Sequence, residues 1–223
     1  MSQQLEGLIE VSDEEFERVL SALPELDEIH DSDLRRRVVA TFVLGLRDSS
    51  FNDIRDVPGE YDLDASVNLV AHSRIVTSMV LAAADAITAQ LPDVKFDRDV
   101  LIAGALVHDV GKIYEYDRER ATAWQSHKAE TGYPAVRHPV YGTHLAIMAG
   151  LPERVVHIVA NHAAEGQRVR RSLEATLVAT LDHISWELLL IARRGLTIED
   201  VRSASPRVRP LPPSTQETTH DPN

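Results

Sequence analysis

The residues of this 223-residue chain best placed to do chemistry are an adjacent pair, His108 and Asp109. They close an apolar stretch, AGALV, and are followed by Gly111 and Lys112. An imidazole and a carboxylate at the end of a helix can serve as metal ligands, because the backbone there is fixed while the side chains face a cavity. A carboxylate beside a buried apolar helix is costly without a cation to meet it. Four further residues of ligand type, His72, His138, His162 and Asp182, each fall on or at the end of a separate predicted helix. The chain has no Cys, so it offers no disulfide framework, no thiolate nucleophile and no thiolate ligand. Any metal must then be held by His and carboxylates.

The remaining histidines fit such a centre less well. His144 and His157 project from other helix faces than His138 and His162. His183 lies about 100° around a helix from Asp182 and reads as a surface residue. His30, His127 and His220 sit in polar stretches. Arg168, Arg170 and Arg171 read as a solvated loop, and Trp124 and Trp186 suit pocket lining and packing equally, so neither is assigned a role.

The elements that must position these residues are helical. Hydrophobic residues make up 43% of the chain but aromatic ones only 5%, so the interior must be filled by aliphatic side chains that helices use readily. Ser12 and Glu15 form a capping-box pattern that starts a short helix ending near Pro24. A second helix is predicted from about Asp33 through Leu46, and the polar segment 48–60 turns at Pro58-Gly59. The longest helix should run from Asp62 or Asp64 to Leu91, stopped by Pro92. The next opens near Asp97 and ends at Gly111, read as its C-terminal stop. Helices over about 139–149, 152–163 and 173–194 follow. No alternating β-branched pattern with hairpin turns calls for a sheet.

Length suits one helical domain with ragged ends. A net charge of −12 would repel phosphate backbones, and the chain mostly lacks clusters of Lys and Arg, so no extended nucleic-acid surface is expected. No uninterrupted apolar run approaches the roughly 18–20 residues that span a bilayer, and the polar start does not read as a signal peptide. The expectation is a cytoplasmic protein with no membrane partner.

Taken in order, His72, the pair His108-Asp109, His138, His162 and Asp182 resemble the ligand series of the HD superfamily, with the resemblance running from about Asn68 to Glu187. The resemblance implies an all-α fold, the HD-domain helical bundle, over 61–202. Residues 1–60 would then be an N-terminal helical extension packed on the core, and 203–223, rich in Pro, Ser and Thr, a disordered tail. It further implies that His72, His108, Asp109 and Asp182 hold a first metal, while His138 and His162 join Asp109 at a second in the dinuclear branches. One or two divalent transition metals, iron, manganese, cobalt, nickel or zinc, suit such ligands. The implied activity is hydrolysis of a phosphoester in a nucleotide or other small phosphorylated metabolite by a metal-activated water. Asp109 and Lys112 would be catalytic, and Lys112 and Arg137 would bind the substrate.

Two departures separate this chain from the cyclic dinucleotide phosphodiesterases it otherwise resembles. Asn161 stands where they have a His, and Asn68 where some dinuclear members have a Glu ligand. Gly132-Tyr133-Pro134 precedes His138 and is read as coincidence. A similarity to bacterial exoribonucleases of the superfamily lacks their separate nucleic-acid-binding module. Two rival readings are a mixed-valence diiron oxygenase of the same fold and a catalytically silent sensor.

Overall fold

The computed structural model describes residues 9–60 and 67–195; the expected tail, 203–223, and His220 lie outside them. Ten α-helices follow one another among the described residues: α1 Asp13–Ala22, α2 Ser32–Arg47, α3 Leu69–Gln90, α4 Arg98–Val107 and α5 Lys112–Glu115. These are followed by α6 Arg118–Ser126, α7 Lys128–Thr131, α8 His138–Met148, α9 Glu153–Asn161 and α10 Leu173–Arg194. The fold is all-α, with one isolated bridge, between Pro58 and Asn68, among these residues. The chain divides into two compact units, Met1–Ser185 and Trp186–Asn223. Every residue of the site described below belongs to the first.

Short polar side chains start the helices. Ser12 forms the full capping box with Glu15, and Asp31, Asn68, Asp97 and Asp117 each accept a backbone N–H from the first turn of α2, α3, α4 and α6. α4 is buried on every side from Val100 to Val107. It packs against α2, α3 and α9, while α8 packs on α9 and α5 on α8. The C-terminal end of α4, which carries His108 and Asp109, is thereby held from several directions.

Three sequence expectations need correction. α3 begins at Leu69, because Asn68 caps it and its backbone pairs with Pro58; residues 61–66 lie outside the described ones. His72 is therefore in the first turn of α3. α4 ends at Val107, after which the backbone tightens to three-residue bonds, with the N–H groups of Val110, Lys112, Ile113 and Tyr114 donating to the carbonyls of Val107, Asp109, Val110 and Gly111. Gly111 is thus no left-handed stop: its φ is −66°. A glycine is needed there because a Cβ would collide with the backbone carbonyl of His138. Finally, α3 and α10 are each long and apolar enough by length and composition to cross a bilayer, although no uninterrupted apolar run suggested it. In α3 the apolar positions Val76, Val80, Leu81 and Ala84 are buried in the core.

The start of α10 is anchored by polar groups. Buried Glu174 accepts from Arg154 Nη2 at 2.8 Å and from Asp97 N at 3.4 Å. His157 Nε2 accepts from Ser172 N at 3.1 Å. Arg171, expected in a solvated loop, instead donates to the carbonyls of Asn161 and Ala163, at 2.5 and 2.9 Å. These bonds tie the loop after His162 to the helix that carries Asp182.

Gly111→Ala should cost about 3 kcal/mol, the upper end for overpacking, because the obstacle is backbone and cannot turn aside. Urea unfolding of the variant checks this, with a loss under about 1 kcal/mol showing that α8 can move away freely.

Candidate metal centre

Four elements supply the first group of ligands: the first turn of α3 (His72), the end of α4 (His108), the turn after it (Asp109) and α10 (Asp182). His72 Nε2 lies 3.2 Å from His108 Nε2, 3.1 Å from Asp109 Oδ2 and 3.0 Å from Asp182 Oδ1. His108 Nε2 stands 3.4 Å from Asp109 Oδ2 and 3.7 Å from Asp182 Oδ1. A second group forms on the other oxygen of Asp109: His138 Nε2 is 3.3 Å and His162 Nε2 3.4 Å from Oδ1, and 3.3 Å from each other. Asp109 thus turns one oxygen to each group, and the potential ligand atoms within each group lie within 4.8 Å of one another.

These spacings fit metal ions. Ligands at about 2.0–2.2 Å from a transition metal stand roughly 3.0–3.5 Å apart around it. The ring tautomers fit as well. His108 Nδ1 faces Ala105 O at 2.7 Å, His162 Nδ1 faces Val159 O at 2.8 Å, and His138 Nδ1 faces Glu115 Oε2 at 2.7 Å. A proton on each Nδ1 leaves the Nε2 lone pair pointing into the centre. Asp109 Oδ2 and Asp182 Oδ1 are buried and accept no well-directed hydrogen bond, although Lys112 Nζ stands 2.6 Å from the former as an ion pair. A buried oxygen left in that state is expensive. A cation would repay it.

Burial opposes charge on both carboxylates, but Lys112 and His108 hold Asp109 well below the usual carboxylate range, and the His108 and His72 rings beside it do the same for Asp182. Burial also opposes charge on His108, yet Asp109 and then Asp182 overcome it and raise its pKa to about 10. Burial prevails at His138 and lowers its pKa despite Glu115 and Asp109, so its ring is neutral near neutral pH. For Glu115, His138 and then Arg137 overcome burial and lower the pKa.

All six expected ligands converge. Lys112, 2% exposed, also donates to Gly59 O at 2.6 Å, so its ammonium is turned inward. Arg137 pairs with Glu115 at 2.6 Å and Glu165 at 3.3 Å and keeps a 37% exposed side chain at the rim. His144 and His183 are exposed, His30 pairs with Asp99, and His157 binds Ser172, so none joins the centre. Asn161 turns to His157, and Asn68 is committed to the cap of α3. Sequence reasoning missed Glu115. The available signal was an acid in the short KIYEY stretch following Lys112, whose burial no periodicity announced.

A buried, all-helical cluster of four imidazoles and two carboxylates with a shared Asp defines the class. The chain belongs to the HD domain family, whose model matches residues 69–187. It is similar to the dihydroneopterin 2',3'-cyclic phosphate phosphodiesterase of Methanocaldococcus jannaschii, at 27% identity over 184 residues, which cover 75% of this chain and 69% of that protein. No solved structure matches.

His108 must give up its proton to bind a cation through Nε2 while Nδ1 remains bonded to Ala105. Since its pKa is raised to about 10, the apparent affinity for a divalent ion should climb with pH between 6 and 9, by up to about tenfold per unit for one proton displaced. Manganese titration calorimetry in buffers of different ionisation enthalpy counts that proton. A flat affinity with no proton release would mean that His108 is already neutral.

Proposed function

We propose that this protein is a metal-dependent phosphohydrolase that cleaves a phosphoester in a nucleotide or other small phosphorylated metabolite, with the phosphodiester as the favoured bond type. The observation that carries this reading is Asp109 presenting one oxygen to each of two buried ligand groups. His72, His108, Asp109 and Asp182 would hold one ion, and Asp109, His138 and His162 a second; iron, manganese, cobalt, nickel and zinc all suit these donors. The M. jannaschii relative, named as a cyclic phosphate phosphodiesterase, supports the choice of bond.

When bound, such ions make a water acidic enough to attack phosphorus near neutral pH and offset charge on the phosphoryl oxygens. The chain's own residues do the rest. Asp109 and Asp182, anionic at every working pH, set a negative site that a divalent ion neutralises. Lys112 holds Asp109 in place through its ion pair and adds positive charge beside it. Arg137, at the rim, uses two N–H groups on Glu115 and Glu165. A guanidinium has five N–H donors, so others remain to bind a phosphate oxygen and orient the substrate. The net charge of −12 favours a small substrate over a nucleic-acid polymer. We further propose that residues 1–60 act as an extension bracing the core and that the protein works in the cytoplasm.

Purified chain should carry divalent metal and hydrolyse bis-p-nitrophenyl phosphate faster than p-nitrophenyl phosphate, with 2',3'-cyclic AMP as a further probe. Asp109→Ala should lose both metal and at least about 1,000-fold in turnover, in line with the several kcal/mol a metal ion supplies. His144→Ala, exposed and outside the centre, should keep both. Oxygen consumption with about two irons per chain and no phosphate release would establish the oxygenase instead, and bound metal with no turnover the silent sensor.

A further inference from the structure

We infer that Glu115 is the positioning residue of the second ion site: it fixes the tautomer and orientation of His138 and so sets how tightly Asp109, His138 and His162 hold their ion. The inference rests on the reading of the two ligand groups as sites for two ions.

His108 and His162 stand at the ends of helices, where a carbonyl three residues upstream, that of Ala105 or Val159, is in reach of Nδ1. His138 is the first residue of α8, so no preceding helical turn offers it an acceptor. The acceptor comes from α5. Glu115 Oε2 receives both the backbone N–H of His138, at 2.5 Å, and its ring Nδ1, at 2.7 Å. One oxygen thereby grips the main chain and the ring of the same residue, so the imidazole cannot swing without breaking a buried bond. With Nδ1 committed as donor, the lone pair lies on Nε2, facing Asp109 Oδ1 and His162 Nε2 at 3.3 Å each. The other oxygen, Oε1, takes Arg137 Nη1 at 2.6 Å, which holds the carboxylate plane. Glu115 is 5% exposed, commits Oε2 to His138 and Oε1 to Arg137, and belongs to neither ligand group, so it supports a ligand and is not one. Its hydrogen bonds go to His138 and Arg137, on the side of the second group, so its loss should weaken that site and spare the other.

The test is manganese binding by the full-length chain, followed by calorimetry and by metal analysis after dialysis, for the unmodified protein, Glu115→Gln and Glu115→Asp. The unmodified protein should bind two ions. In Glu115→Gln the second should bind about 10- to 100-fold more weakly, the range for loss of a group that orients a ligand, with the first unchanged. Glu115→Asp, which keeps the charge but falls short of Nδ1, should show the same selective loss to a smaller degree; it carries the test if the Gln variant does not fold. Far-ultraviolet circular dichroism and the intact first site report folding. If both variants bind two ions with unmodified affinities, or weaken both sites alike, Glu115 does not position His138. If the unmodified protein itself binds fewer than two ions, the two-ion reading fails and this inference falls with it.

Discussion

The structure depends on one constraint: a fully buried carboxylate, that of Asp109, must be met by positive charge from every side. Its chain position makes this unavoidable, since α4 is buried all round and delivers its last residues into the interior. Lys112, one tight turn later, supplies a cation at 2.6 Å, and four imidazoles approach its two oxygens at 3.1–3.4 Å. One ammonium cannot satisfy two buried carboxylates, Asp109 and Asp182, and neither forms enough directed hydrogen bonds to make up the difference. The chemistry of the donors asks for divalent cations, and the geometry has the right spacing for them.

The scaffold is consistent with that demand. Each ligand sits near a helix terminus or on a helix that is anchored nearby. The tight turns after Val107 aim His108 and Asp109 inward, and Gly111 lets α8 approach closely enough for His138 to reach the shared Asp. α10 is tied down by Glu174, Arg171 and Ser172 before it presents Asp182. His157, a ligand-type residue outside the centre, belongs to that anchoring apparatus, as does Asn161 through its contacts with His157 and Arg171.

Much of this was legible in the sequence. Caps at Ser12 and Asp97, apolar spacing and Pro92 marked the helices well, because these signals are local and the helices are long. The ligand set was legible only as an ordered series, since a single His on a helix has many ordinary reasons to be there. What was not legible depended on contacts distant in sequence. The start of α3 was decided by a bridge to Pro58, and the need for Gly111 by the carbonyl of His138. The burial of Glu115 was decided by a histidine and an arginine well downstream, and the fate of Arg171 by two carbonyls in the loop it closes. The stretch from Lys112 to Arg137 carries three short helices with little periodicity, and the sequence offered no firm reading of it.

Asp182 arrives on the last described helix, whereas His72, His108 and Asp109 lie on or just after α3 and α4. During synthesis on the ribosome, the first three donors emerge well before the fourth, and a growing chain holds an incomplete coordination sphere until α10 has cleared the exit tunnel and docked. An ion that required all four donors would therefore be captured late in the life of the polypeptide, once Asp182 has been made and the chain has folded back on itself.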